Sequence, residues 1–362
     1  MRVGTTAPFL WAAVLALDAN TLLECFRERF GEDPLKDGLV RRSRGGSSES
    51  YLPEDLAEYY LSRVFPSESA RSDTMWEYDG HLFVIPFAVL SYNTGECRKT
   101  THDERQRRVY SELLSIPRHR WNQTYFLCQS FNCRNYVHRD IHDLIESTGR
   151  IRYLIHENNV NWIDWGRKGR LPQSLIVPYV AHSAIHRRSG VRPSETQPTI
   201  VFHGDLRGYS TSVRRVFARR SEVRPNVRFK ETGTLRMTPT IVREYADTML
   251  RSTFCFVPRG DTPTTRRLFD AILAGCVPVV VSDGIDTSLP FPHLIPYHRF
   301  WIRIEEVAWI ERTDAILDAV LSIPRDDVER RVKIMGQHSD LLDWRHHPDR
   351  VLAAILNTPF LS

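Results

Sequence analysis

The run STFCFVPRGDTPTTRRLFDAILAGCVPVVVSD, Ser252 to Asp283, decides how the rest of the chain is read. It opens on an apolar stretch, Thr253 to Val257, and closes on another, Cys276 to Val281, each suited to a buried strand. Between them Leu268, Phe269, Ile272 and Leu273 recur at helical spacing. A strand, a turn, a helix and a second strand make a βαβ unit, and such units carry ligands at the turn. Here the turn is Pro258-Arg259-Gly260-Asp261-Thr262-Pro263-Thr264-Thr265-Arg266-Arg267. It combines a glycine for close backbone approach, hydroxyls, three arginines and a helix start.

Thr262 is a good N-cap and would place Pro263 at the first helical position, where its missing N–H costs nothing. The N–H groups of Thr264 and Thr265 would then point outward, and with the helix dipole they make an anion site. Arg259, Arg266 and Arg267 add charge-assisted donors suited to a phosphate. The alternative is a capped helix whose arginines pair with Asp261 and Asp270. The P-loop pattern Gly-x-x-x-x-Gly-Lys is absent.

At 362 residues the chain is long enough for two domains, and 41% hydrophobic content supports ordinary cores. The net charge is +5, but the arginines are scattered rather than laid out as a stripe, which argues against a nucleic-acid partner. Acidic small molecules and polysaccharides fit that balance. Behind Met1-Arg2-Val3 the segment APFLWAAVLAL, Ala7 to Leu17, matches a secretory signal and is short for a bilayer span. A buried N-terminal helix and a shortened membrane anchor are the alternatives. Residues 1–24 are therefore read as a signal peptide or anchor remnant, and no later segment is long and apolar enough to cross a membrane.

Six cysteines are an even count. Cys25, Cys97, Cys128 and Cys133 could form one or two disulfides whose pairing is not readable, while Cys255 and Cys276 sit in apolar strands and are expected to be free core residues. Asn122-Gln123-Thr124 is a glycosylation sequon, meaningful only in the secretory pathway.

Strand and helix candidates then alternate. LPEDLAEYYLSRVF reads as an amphipathic helix and HLFVIPF as a strand, followed by TYFLCQSF, DIHDLIEST, IRYLIH and SLIVPYV. They make an α/β domain over 25–186. RRSGVRPSETQP, Arg187 to Pro198, makes a linker. A second α/β series follows over 199–340, with TIVFHG, STSVRRVFARR, NVRFKE and TPTIVREYADTMLR leading into the opening unit. Residues 341–362 form a C-terminal helix. Two successive α/β layers imply a ligand cleft between them.

The opening unit resembles the signature of the exostosin family of glycosyltransferases. Cys255, Pro258, Gly260, Pro263, Thr265, Arg267-Leu268, Asp270, Gly275-Cys276-Val277-Pro278-Val279 and Asp283 each stand where that pattern has them. AEYYLSRVFPSE with LFVIPF, LIVPYV and SVRRVF are weaker matches along the chain. The resemblance, GT47-like, implies a GT-B architecture of two Rossmann-like domains facing across a cleft, with the donor on the C-terminal one. It also implies a nucleotide-sugar co-substrate, most often UDP-linked, inversion at the anomeric carbon and a glycan acceptor, with no separate cofactor. By position, Arg267, Thr264 and Thr265 would hold the diphosphate, with Arg259, Gly260, His203 and Gly204 alongside. Asp270 would accept ribose hydroxyls, or else pair within its helix with Arg266 or Arg267. Arg214 is a further diphosphate candidate or a solvated helix residue.

Transfer releases a dianionic nucleoside diphosphate, which must be stabilised. No Asp-x-Asp tripeptide for a metal occurs in the chain, so a helix terminus and arginines would serve instead. The chain departs from the family at Gln129-Ser130, where a His-Asp pair is usual, at His203, where an arginine is usual, and at Gln173-Ser174, where an acidic residue is usual. A general base is still needed, and Glu157 and Asp205 are the two candidates. Each has a plainer role, Glu157 in a solvated loop and Asp205 in a turn or cap. The expected function is an inverting, metal-independent glycosyltransferase of the Golgi lumen. The alternative is a catalytically inactive exostosin-like protein that binds nucleotide or glycan. Membrane association through the N-terminus and homo- or hetero-dimerisation are compatible with the sequence.

Overall fold

The computed structural model describes residue 25, 64–87 (66–68 and 73 aside), 97, 100–128, 136–156, 174–185 (183 aside), 198–206, 211–231 and 239–358 (261 aside). These residues divide into two α/β units, with Ile176–Thr358 in the second and the preceding described residues in the first. The leader, Gln129-Ser130 and Glu157 lie outside the described residues, as does most of the expected helix at 52–65.

The first unit is built on a five-stranded sheet in the order β1-β2-β3-β4-β5. Its strands are β1 (Met75–Tyr78), β2 (His81–Val84), β3 (Thr124–Cys128), β4 (Arg152–Ile155) and β5 (Ser174–Ile176). β2, β3 and β4 run parallel, joined by crossovers that contain α1 (His102–Ser115) and α2 (Arg139–Thr148). Phe83 and Tyr125 are cross-strand partners whose rings stack at 4.9 Å, which locks the register of β2 on β3. β1 adds antiparallel through a tight turn at Asp79-Gly80, both at positive φ (48° and 73°). An Asp-Gly pair suits that turn because its twist matches the flanking strands.

Neither the hairpin nor α1 follows from hydrophobic periodicity, since β1 is four residues long and α1 is mostly polar. Both nonetheless carry local signals. Thr101 and Glu104 form a reciprocal capping box, in which Thr101 N–H donates to Glu104 Oε2 at 2.7 Å and Glu104 N–H to Thr101 Oγ1 at 3.3 Å. The chain just before α1 is fixed by the Cys25–Cys97 disulfide and by Arg105 Nη2 donating to the Cys97 carbonyl at 3.1 Å.

The second unit carries a parallel five-stranded sheet in the order β10-β9-β8-β6-β7. The strands are β6 (Ile200–Gly204), β7 (Val227–Glu231), β8 (Phe254–Pro258), β9 (Val277–Val281) and β10 (Ile302–Ile304). α3 (Thr211–Ser221), α4 (Pro239–Arg251) and α5 (Arg266–Ala274) connect the first four, and α6 (Glu306–Leu321), α7 (Arg325–His338) and α8 (Pro348–Leu356) follow. β8 and β9 are buried throughout, which explains their unbroken apolar sequences. Phe217 stacks on Phe256 at 4.4 Å, and Trp309 of α6 covers Phe256 at 4.7 Å while donating Nε1–H to the Val213 carbonyl. The chain leaves β6 toward β7 and returns on the other side to β8. That reversal puts a topological switch point between the carboxyl ends of β6 and β8, where ligands of such sheets bind.

Two sequence expectations require correction. Cys255 and Cys276 are not free; they form a disulfide that joins β8 to the residue after Gly275, with both cysteines wholly buried. Their adjacency follows from β8 and β9 being neighbours, which periodicity alone does not reveal. Second, the segment from Ile176 to Ile185, expected in the first domain, is bonded within the second unit. Trp344 Nε1 donates to the Pro178 carbonyl at 2.7 Å and Arg345 Nε to the Ala181 carbonyl at 3.0 Å. No described helix is long and apolar enough to cross a membrane.

The buried Cys255–Cys276 bond closes a loop that contains all of α5. Replacing both cysteines by alanine should lower the unfolding free energy by about 3 kcal/mol, read from guanidinium denaturation. An unchanged midpoint would deny the bond any part in stability.

Candidate functional site

The turn between β8 and α5 is anchored to the exit of β9 before it meets any ligand. Arg259 N–H donates to the Val281 carbonyl at 3.1 Å, and Ser282 Oγ to the Pro263 carbonyl at 2.7 Å. Asp283 and Glu306 exchange bonds, with Glu306 N–H reaching Asp283 Oδ1 at 3.0 Å, so the signature aspartate caps α6. Arg259 then lies 3.8 Å from Glu306, half-buried beside Gly260.

The helix begins later than its sequence suggests. Thr265, in an extended conformation (φ −159°, ψ 147°), is the N-cap of α5, and Leu268 N–H is the first to bond back, to the Thr265 carbonyl. Thr262 instead donates Oγ1–H to the Thr264 carbonyl at 3.3 Å, so the capping hydroxyl expected of it is spent inside the turn. The outward donors at the helix start are therefore the N–H groups of Arg266 and Arg267, not those of Thr264 and Thr265. Thr265 makes no side-chain cap bond, which leaves the helix end open to an anion.

Two arginines brace this turn against the end of β6. Arg267 Nη2 donates to the His203 carbonyl at 2.7 Å, and its guanidinium lies 4.7 Å from the centre of the Phe202 ring. Gly204 permits that approach, because a Cβ there would stand 2.8 Å from Arg267 Nη2 and 2.7 Å from the Phe202 ring. Arg214 Nη1 donates to the Asp205 carbonyl and Nη2 to the Arg259 carbonyl, both at 2.9 Å. It thus straps the end of β6 to the end of β8. His203, Gly204, Asp205, Arg214, Arg259, Gly260, Thr264, Thr265 and Arg267 all gather at the switch point.

Asp270 is the exception to the expected arrangement. It is 1% exposed, and its oxygens accept the His182 N–H and the Tyr245 hydroxyl, each at 2.8 Å. Burial raises its carboxyl above the ordinary value, opposed by Arg266, these two bonds and Arg267. The sequence reading missed His182, Tyr245 and Arg345. The one available signal is an aspartate within the apolar face of α5, which must find donors when buried.

The electrostatics are those of a site short of negative charge. Burial, then Lys230 and Arg267, hold His203 down to about 4; burial, then Arg266, Arg345 and Arg267, hold His182 well below its ordinary value. Both imidazoles therefore stay neutral at pH 7. Three buried polar atoms, Thr264 Oγ1, His203 Nδ1 and Arg267 Nε, have no hydrogen-bond partner. Such atoms are rare in folded proteins, and here they sit in the turn, at the start of α5 and at the end of β6 beside it.

Residues 55–320 match the exostosin GT47 domain. The chain belongs to that family. A probable glucuronosyltransferase of Oryza sativa subsp. japonica is 37% identical over 95 residues, 26% of this chain and 20% of the relative. A probable arabinosyltransferase of Arabidopsis thaliana is 48% identical over 63 residues, 17% and 14% of the two chains. Each of these matches spans a fifth or less of the relative's length. Among solved structures, WaaG, a glycosyltransferase involved in lipopolysaccharide biosynthesis, aligns over 65% of this chain and 74% of its own, at 12% identity and a TM-score of 0.36. In this exostosin GT47 chain two signature residues hold neighbouring elements together: Arg267 packs against Gly204, and Asp283 caps α6.

The depressed His203 imidazole sets a pH dependence. Between 6.5 and about 4 the unfolded chain takes up a proton that the folded chain refuses, so stability falls as pH drops through that window. His203→Gln should remove about 1–3 kcal/mol of that fall, measured as unfolding free energies at pH 7 and pH 5. His102 of the first unit, also held near 4, titrates alongside and is unchanged in the variant.

Proposed function

We propose that this chain is an inverting glycosyltransferase that moves a sugar from a UDP-linked donor to a glycan or polysaccharide acceptor without a metal ion. The carrying observation is the arginine-braced, under-neutralised turn at the switch point of a chain in the exostosin GT47 family. Breaking the sugar–diphosphate bond leaves a dianion, and donors aimed at it lower the barrier most when they are fixed beforehand. Arg259, Arg266, Arg267 and the open N-terminus of α5 would supply those donors. The chain has no Asp-x-Asp tripeptide, so these groups would do what a cation does elsewhere.

The acceptor hydroxyl must lose its proton as the new bond forms. Asp205 follows β6 directly, and Arg214 fixes its carbonyl, so its backbone is held at the switch point. Asp205 is therefore the candidate base among the described residues; Glu157, the other candidate, lies outside them. Two relatives are named for different sugars, one a probable glucuronosyltransferase and one a probable arabinosyltransferase.

Disulfides at Cys25–Cys97 and Cys255–Cys276 support an oxidising compartment and so the secretory pathway and Golgi lumen. The sequon supports it too: Asn122 is exposed on a short 3-10 helix, Arg118–Gln123, where an oligosaccharide transferase could reach it.

Arg267→Ala should weaken UDP binding by roughly 1.5–3 kcal/mol in calorimetry, because a charge-assisted pair is lost. Hydrolysis of UDP-sugars by the intact chain should persist in EDTA. Nucleotide binding without turnover of any donor would identify an inactive member of the family instead, and unchanged UDP affinity in a folded Arg267→Ala would remove the site.

Expressed in a eukaryotic host, the protein should shift in mobility on deglycosylation, and Asn122→Gln should abolish the shift. Protein retained in the cytosol with Met1 in place would contradict a secretory route.

A further inference from the structure

The buried carboxylate of Asp270 has no exposed surface to offer a ligand, yet it holds one residue that does. His182 is half-buried, lies beyond the last residue of β5, and is tied to α5 by its N–H bond to Asp270 Oδ1 at 2.8 Å. The segment leading to it is pinned as well, at the Pro178 carbonyl by Trp344 and at the Ala181 carbonyl by Arg345. Three bonds over five residues fix the backbone of His182 firmly. Tyr245, donating to Asp270 Oδ2, stands edge-on to the His182 ring at 5.3 Å and tilted to the His203 ring at 6.0 Å. Burial and the charge of Asp270 keep that hydroxyl protonated, so it remains a donor. The two imidazoles therefore flank one tyrosine, and the charges of Arg266, Arg267 and Arg345 act on His182 directly.

We propose that His182 contacts the bound nucleoside diphosphate, donating an imidazole N–H to a diphosphate oxygen, and that Asp270 is its positioning residue. The inference rests on the donor site proposed above and adds a contact to it. A neutral imidazole suits the place: it offers a donor without adding a fourth cation beside Arg266, Arg267 and Arg345. Asp270 then serves the ligand without touching it. Its carboxylate fixes the His182 backbone on one side and Tyr245, against which the ring rests, on the other. A carboxylate four residues into α5 is too deep for a ribose hydroxyl, but it is well placed to hold what lines the site.

UDP is the probe. Wild type, His182→Ala, His182→Gln, Asp270→Asn and Arg267→Ala are titrated by calorimetry, with thermal melting to confirm folding. His182→Ala should bind about tenfold more weakly, matching one hydrogen bond to a charged group, and His182→Gln should recover part of the loss. The imidazole 1H–15N signal of His182 should move on UDP addition in wild type. In Asp270→Asn, which keeps the volume and alters the carboxylate, that shift should shrink and UDP affinity should fall several-fold. A purely structural role for Asp270 would lower the melting temperature and leave the His182 response intact. If Arg267→Ala loses UDP while His182→Ala binds within twofold of wild type, this contact is wrong and the donor site stands. If wild type binds no UDP, the donor reading fails and this inference with it.

Discussion

The second unit depends on one guanidinium. Arg267, at the second position of α5, donates to the His203 carbonyl and lies over the Phe202 ring, so the start of a helix is joined to the end of a strand 64 residues earlier. Everything near it adapts to that placement. A Cβ at position 204 would stand within 3 Å of the guanidinium and the ring, so a side chain there would displace one or both. His203 cannot hold a proton at neutral pH, in part because Arg267 stands beside it. Asp270, one turn along, is buried where its charge is offset by Arg266 and two hydrogen bonds. Removing a single cation would therefore disturb packing, backbone and protonation together.

A site braced this way is prepared before a ligand arrives. The turn is tied to the exit of β9, α6 is capped from that exit, and Arg214 straps β6 to β8. Little reorganisation would remain for the anion proposed to bind there, which is what stabilising a leaving group requires. The cost is visible in Thr264 Oγ1, His203 Nδ1 and Arg267 Nε, buried without partners.

What the sequence disclosed follows the range of each interaction. β8, α5 and β9 were legible because a fully buried βαβ unit writes its burial as unbroken apolar runs. The arginines and the signature aspartate were legible as a cluster, although the aspartate turned out to cap a helix. The hairpin at Asp79-Gly80 and the capping box at Thr101 were written locally too, but in turn and cap chemistry that periodicity ignores. The start of α5 was misplaced by three residues because Thr262 and Thr265 are both fair caps, and only the fold shows Thr262 bonding inside the turn. The partners of Asp270 were out of reach altogether. His182 lies 88 residues away and Tyr245 25, and no short-range pattern connects them. The Cys255–Cys276 pairing belongs to the same class, since it requires knowing that β8 and β9 are adjacent.

That disulfide also constrains the order in which the protein is assembled. Both cysteines are fully buried, one in β8 and the other between α5 and β9, so the folded chain does not present them to an oxidoreductase. The thiols must therefore be oxidised while the segment is still open, and α5 closes over a bond already made. A chain that packs first would trap two reduced cysteines inside a finished core, beyond later repair. Maturation of the turn that α5 carries is in this way tied to the thiol chemistry of the compartment where the chain first folds.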